Sequence, residues 1–291
     1  MVFRKRVRGP FHQIVVPTDY SSGSTRAMAF ALALAGHGNS VTAVHAVDAL
    51  QYKFGPPESS NLRKQQAWAL ARASFSRWLR EAKLSVRNLV VIEGEAAPAI
   101  AAFADAKGAD LVVLASSARG PVSRLLLGSI AEELFRTVNC PVFVLGPKAV
   151  VEKKRTLWRF VFATDLEPHS LAAFSQLSRL GDRLHAVISV IRAVHPDIKS
   201  RTERSRIRKE TIKRVEAAAD PNLRKRIRKI HVEFAHPVKA ITGFSKRLKA
   251  DAIIMGIRSG SELTRAATHI PWALAHRVIA EARCPVLTIR G

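Results

Sequence analysis

The residues best placed to do chemistry are two Thr-Asp pairs, Thr18-Asp19 and Thr164-Asp165, each closing a short apolar run and preceding a helix-like stretch. A carboxylate at the carboxyl end of a strand sits where doubly wound sheets open a crevice, the usual place for a ligand. The same residue type also serves as a helix N-cap or an Asx-turn former at strand-to-helix junctions. Both readings of Asp19 and Asp165 stand at this level. Other chemistry is missing. No G-x4-G-K-[ST] loop and no G-x-G-x-x-G fingerprint occurs, and neither does Gly-x-Ser-x-Gly, so no machinery for hydrolysis or dinucleotide chemistry is visible. The ten histidines form no HExxH and no Cys/His ligand spacing, so no metal is expected. His269 and His276, seven apart, have Pro271 between them and read as surface or core residues.

The elements that must position Asp19 and Asp165 follow from an internal repeat. Ile14-Val15-Val16-Pro17-Thr18-Asp19 returns 146 positions later as Phe160-Val161-Phe162-Ala163-Thr164-Asp165. Asp110-Leu111-Val112-Val113-Leu114 returns as Asp251-Ala252-Ile253-Ile254-Met255, and Cys140-Pro141-Val142 as Cys284-Pro285-Val286. A repeat this long is domain-sized. The 291 residues therefore divide into residues 1–150 and 151–291, with a linker near 146–157. The paired cysteine phrases report duplication and not a disulfide.

Short Val- and Ile-rich runs alternate with helix-length stretches in each half, which predicts a parallel sheet covered on both faces. The first half places strands at His12–Val16, Ser40–Val47, Asn88–Ile92, Asp110–Leu114 and Val142–Leu145. Helices are expected over Ser24–Gly36, Asn61–Leu84, Pro98–Lys107 and Ile130–Val138. The second half repeats the plan with strands near Phe160, Ala186, His231, Ala252 and Val286. A hydrophobic share of 47% against 24% charged residues suits globular domains and excludes global disorder. The longest small-apolar stretch, Ala27–Ala35, is too short for a bilayer, which takes about 20 residues. With no apolar region behind the basic start, the expected compartment is the cytoplasm.

From Leu111 to Leu145 the chain reads LVVLASSARGPVSRLLLGSIAEELFRTVNCPVFVL, and with IVVPTDYS at its start it resembles the universal stress protein family. The resemblance covers the chain twice. It implies two tandem Rossmann-like domains of the adenine nucleotide alpha hydrolase type, each an α/β fold with a five-stranded parallel sheet. It also implies a stress-response binding or regulatory module that is not an enzyme, at most a weak ATPase. Nucleotide-binding members carry G-x2-G-x9-G-[ST] after strand 4. Here Ala115 and Ala118 stand at the first two glycine positions, and Gly128-Ser129 keep the last pair. Glycines let successive N–H groups turn toward phosphate oxygens, and Ala restricts that turn. Gly128-Ser129, at an expected helix start, still offer backbone donors and a hydroxyl aided by the helix dipole. The resemblance thus carries over Asp19 as a nucleoside-end contact, Ala46 as an adenine-side backbone position, and Gly128 and Ser129 as phosphate contacts for ATP. In the second half Gly256 keeps the first glycine, Ser259 takes the second, and Trp272-Ala273 align with Gly128-Ser129, so no ATP site is expected there. Trp272 is expected to pack in the interior or at an interface. Family members pair through their last strands, which implies an intramolecular pseudo-dimer through 142–145 and 286–289 and leaves homodimerisation open.

Charge sets the remaining expectation. With 47 Lys+Arg against 23 Asp+Glu the net charge is +24, and the stretch Lys199–Lys229 supplies much of it, on a long second helix and its continuation. Such a run is either a solvated face, with Glu203, Glu210 and Glu216 pairing locally, or a surface for a polyanion such as nucleic acid or an anionic membrane. The run holds no aromatic residue for base stacking, which disfavours sequence-specific single-strand recognition. A nucleotide-independent protein scaffold is the further alternative.

Overall fold

The computed structural model describes residues 11–35, 41–48, 50–53, 59–86, 88–116, 129–151, 157–257 and 270–290. By packing, the chain forms two units, one of residues 1–115 with 128–140 and the other of 116–127 with 141–291.

The first unit holds β1 (Ile14–Pro17), α1 (Ser22–Ala35), β2 (Val41–Val47), α2 (Leu50–Lys53), α3 (Ser60–Ala82), β3 (Asn88–Glu93), α4 (Ala96–Ala106), β4 (Leu111–Ala115) and α5 (Ser129–Thr137). Its strands lie in the order β3-β2-β1-β4, all parallel. Ile14, Val15 and Val16 are wholly buried, as expected of a central strand covered on both faces. On α3, Phe75 and Trp78 are buried, and the Trp78 indole donates to Thr25 Oγ1 at 2.7 Å. That helix ends where Lys83 turns left-handed at φ 52.

The first strand begins two residues later than its sequence suggests, for a visible reason. The His12 and Gln13 N–H groups donate to the Asp110 carboxylate at 2.8 and 3.2 Å. Asp251 takes the Arg159 N–H at 2.8 Å in the second repeat. These two Asp residues join strand starts, at the end of each sheet away from the Thr-Asp turns.

The second unit holds β5 (Val142–Leu145), β6 (Trp158–Ala163), α6 (Pro168–Arg183), β7 (Ala186–Val194), α7 (Arg201–Ala218), α8 (Pro221–Arg226), β8 (Ile227–Phe234), α9 (Pro237–Arg247), β9 (Ala252–Ile257), α10 (Ile270–Glu281) and β10 (Val286–Arg290). Its strand order is β5-β10-β9-β6-β7-β8. All neighbours are parallel except β5 and β10, which run antiparallel with Val286 opposite Val144 and Leu287 opposite Phe143. Each repeat thus contributes five strands in chain order, but by packing the last strand of the first repeat lies with the second unit. Both strands are apolar, and pairing satisfies backbone groups that an edge would expose.

The basic run is not one continued helix. Asp220 caps α8, its Oδ1 accepting the Leu223 N–H at 2.8 Å, and Pro221 fits the first helical turn because its missing N–H needs no partner there. The chain then enters β8 at Ile227, so the run spans two helices and the start of a strand. The expected local pairing is also not found. Among the described residues no ion pair within 4 Å engages Glu203, Glu210 or Glu216.

Candidate functional site

At the carboxyl end of β1 the Thr18 N–H continues the ladder to Val44 O at 2.9 Å, and the chain then turns sharply. Tyr20 takes φ 62, a left-handed conformation that a non-glycine residue adopts only when its surroundings hold it. What holds it is a small polar knot. Asp19 Oδ1 accepts the Ser21 N–H at 3.1 Å and the Ser24 hydroxyl at 2.7 Å, while the Tyr20 N–H donates to Thr18 Oγ1 at 3.0 Å. The turn-forming reading of Asp19 is therefore satisfied in the structure, with the carboxylate itself exposed beside the crevice.

The second repeat builds the same knot. Asp165 Oδ1 accepts the Glu167 N–H at 2.9 Å and the Ser170 hydroxyl at 2.7 Å, and Leu166 takes φ 66. The Thr-x5-Ser spacing places the serine one turn into the helix, facing back at the strand end. That spacing, Thr18 to Ser24 and Thr164 to Ser170, was a legible signal for the serines.

The other sequence-derived positions distribute as follows. Ala46 lies in β2 opposite Ile92 of β3, and Ala115 is the last residue of β4, so both reach the same carboxyl edge as Asp19. Ser129 opens α5. Ala118 and Gly128 lie outside the described residues, as do the side chains of Ser129 and Trp272 and the residues from 258 to 269.

Two residues that sequence reading did not single out complete this edge. The Tyr20 ring stacks on the His45 imidazole, centroids 4.6 Å apart and planes 24° from parallel. His45 Nδ1 lies 2.8 Å from the Thr18 carbonyl, so the proton sits on Nδ1 and is donated to that oxygen. The Tyr20 hydroxyl donates to Ala71 O on α3 at 2.9 Å, and burial pushes its pKa up to about 12. Tyr20 thereby ties α3 to the β1 turn. Behind it, Val47, Tyr52, Ala71 and Val91 form an apolar cluster. The adjacency of Tyr20 to Asp19 and of His45 to Ala46 was the available signal, but neither type carries a motif.

The corresponding edge of the second repeat differs chemically. The registers, Pro17 with Val44 and Ala163 with Ile191, place Leu166 where Tyr20 stands and Arg192 where His45 stands. Arg192 Nη1 donates to Thr211 Oγ1 at 3.0 Å, and Arg214 Nη2 to the Leu166 carbonyl at 2.6 Å. His169 Nε2 is 3.4 Å from Asp165 Oδ2. An aromatic stack is thus replaced by two guanidinium groups bonded to the protein itself.

Gly256 also has a local explanation. A Cβ there would lie 2.6 Å from Ser170 Cα and 3.0 Å from His169 O, so α6 approaches β9 too closely for any side chain. Its glycine is required by packing in this repeat, whereas Ala115 holds the matching place in the first. Among the described residues no group of three or more His, Cys, Asp or Glu could hold a metal ion. Burial raises the Cys284 thiol to about 12, which leaves it an inert core residue. No helix among the described residues is long and apolar enough to cross a membrane.

These geometries can be set against known proteins. The chain is 30% identical over 146 residues to a universal stress protein of Methanocaldococcus jannaschii, an alignment covering 46% of this chain and 82% of that one. It is 30% identical over 189 residues to a universal stress protein of Mycobacterium tuberculosis, covering 60% of this chain and 63% of that relative. Among solved structures, a universal stress protein from Archaeoglobus fulgidus superposes with a TM-score of 0.63 over 97% of this chain and 98% of its own at 16% identity, a likeness of fold. The profile of the universal stress protein family matches residues 10–146 and again 158–290. The paired Thr-Asp knots and the twice-repeated strand plan have their counterpart in that double match, and the chain belongs to the universal stress protein family as a tandem two-domain member.

Proposed function

We propose that this protein acts as a stress-response binding and regulatory module in the cytoplasm, and that its first repeat takes an adenine nucleotide, ATP in the leading case. The observation that carries this reading is the asymmetry between the two crevices. In the first repeat, the carboxyl ends of β1, β2 and β4 bring Asp19, Ala46 and Ala115 to one edge beside the Tyr20–His45 stack. An aromatic wall suits a planar base. In the second, Arg192 and Arg214 take up the equivalent position, which supports a repeat that does not bind nucleotide. Gly128 and Ser129 are the proposed phosphate contacts, and Ala118 stands at the second glycine position of the same sequence motif. The protein works by binding and not by turnover, with no metal of its own. The antiparallel β5–β10 ladder supports an intramolecular pseudo-dimer of the two repeats, with homodimerisation a further step.

The test is calorimetric titration of ATP at near-physiological salt, together with mass spectrometry of ligands released from gently purified protein. About one site per chain with micromolar affinity, abolished by Asp19→Ala and by Gly128→Trp, is the expected result. An empty protein with no titration heat at several temperatures overturns it and favours a nucleotide-independent scaffold.

A second reading has its own observation. Arg206, Lys209 and Lys213 recur along one exposed side of α7, and none meets a carboxylate within 4 Å among the described residues. Such a face suits a polyanion, and binding of generic DNA or RNA that weakens steeply with salt is its signature. Charge reversal across Arg204–Arg214 that leaves nucleic-acid binding unchanged sinks it.

A further inference from the structure

The side of the second unit formed by α7, α8 and β8 holds a groove of about 540 Å³, within the range of roughly 300–1,000 Å³ that small-molecule sites occupy. It shares α7 with the β6–β7 edge described above but none of the residues named there. Its lining is of two kinds. Ile212 of α7 and Ile227 and Ile230 of β8 are aliphatic, while Arg224 of α8 and Arg228 of β8 are cationic, and Glu216 of α7 is the carboxylate among the described lining residues. Lys229 also borders the groove, but its Nζ lies 5.9 Å over the Phe244 ring of α9.

Each group has a physical reason to receive a ligand. Ile212 is 40% exposed on a helix whose other outward residues are mostly charged, so its methyl groups remain in water unless something covers them. Arg224 Nε donates to the Ala219 carbonyl at 2.9 Å, which anchors the side chain and directs its terminal nitrogens elsewhere. Arg228 is exposed and meets no carboxylate within 4 Å among the described residues. Asp220, the negative charge beside Arg224, is engaged in capping α8, and the Leu223 N–H it accepts holds its carboxyl below the usual range.

We infer that this groove binds a small anionic amphiphile, with an aliphatic body on Ile212, Ile227 and Ile230 and a carboxylate or phosphate between Arg224 and Arg228. A purely polar anion would leave the isoleucines wet, and a neutral apolar ligand would desolvate two guanidinium groups without a partner. A nucleic-acid base finds no aromatic ring to stack on among the described lining residues. Phe234, further along β8, is already covered by the guanidinium groups of Arg204 and Arg208 at 4.6 and 5.2 Å. The same chemistry is offered by a free fatty carboxylate and by the headgroup and chain of a bilayer lipid.

The experiment uses the full chain and two probes. Sodium decanoate is titrated by calorimetry, and vesicles of phosphatidylglycerol or phosphatidylcholine are used in flotation. The expected result is one saturable decanoate site per chain, weakened about tenfold or more by Ile212→Glu and by Arg228→Glu, with Lys246→Glu, an exposed position on α9 away from the groove, leaving it unchanged. Both sensitive positions are exposed, and circular dichroism checks that each variant folds. Saturable decanoate binding assigns the free ligand. Selective capture by phosphatidylglycerol vesicles with the same two sensitivities, and no decanoate titration, assigns the bilayer lipid. The inference is overturned if neither probe binds, if Ile212→Glu has no effect, or if Lys246→Glu weakens binding as much as Arg228→Glu, which is the behaviour of diffuse charge attraction.

Discussion

Tyr20 lies against His45 with ring centroids 4.6 Å apart, one residue in a left-handed turn after β1 and the other on β2. The contact joins the β1 turn to the neighbouring strand, and the Tyr20 hydroxyl extends the link to Ala71 on α3.

Tyr20→Phe keeps the stack and removes the hydrogen bond to Ala71, so a loss of about 1 kcal/mol is expected in urea denaturation. The same variant carries a pH signature. Burial raises the folded pKa of Tyr20 from 10.0 to about 12, so the unfolded chain loses this proton first. The stability from keeping Tyr20 neutral is fully present below pH 10 and is lost as pH rises from there through 12. Comparing wild type with Tyr20→Phe between these limits isolates the effect, because Tyr52, Lys and Arg contribute to both proteins. Parallel curves would contradict it.

Ser24 and Ser170 make equivalent bonds of 2.7 Å to Asp19 and Asp165. Each Ser→Ala substitution is expected to destabilise by about 1 kcal/mol, the usual worth of such a capping contact. The two costs should be similar in denaturant titrations, while only Ser24→Ala lowers ATP affinity. A loss confined to one repeat would show that the knots are not equivalent.

Gly256→Ala places a methyl group 2.6 Å from Ser170 Cα. Because the obstacle is backbone, α6 must shift, and overpacking of this kind costs about 1–3 kcal/mol. The expected reading is a lowered Tm with nucleotide titration of the first repeat unchanged. Ala115→Gly at the matching place has no such clash to relieve and is expected to cost under about 1 kcal/mol. A neutral Gly256→Ala would mean that the helix yields without cost.

Phe143 is wholly buried in β5, opposite Leu287 of β10. Phe143→Ala is expected to cost about 3–5 kcal/mol through its cavity and lost burial. A chain shortened to remove β10 leaves β5 without its antiparallel partner, and association of such chains is the expected outcome in light scattering or gel filtration. A shortened chain that stays monomeric and stable would show that β5 does not need the pairing.

Much of this protein was legible without coordinates. Strand and helix order in both repeats follows from Val- and Ile-rich runs separated by helix-length segments, since burial on both faces of a parallel sheet demands continuous apolar strands. The Thr-Asp pairs marked the turns because a carboxylate at a strand end reads the same in either role. The family membership lay in the phrases around Leu111–Leu145 and their recurrence. Tertiary structure decided the rest. Tyr20 meets His45 only because parallel pairing brings β2 beside β1, and nothing local in sequence encodes that neighbour. Gly256 looked like a remnant of a phosphate loop, yet its lack of a Cβ is demanded by the backbone of Ser170, a constraint between segments far apart in the chain. The acidic residues of α7 looked like partners for its cations by spacing alone. Spacing states which side chains are able to meet, and three-dimensional packing and solvent decide which of them do.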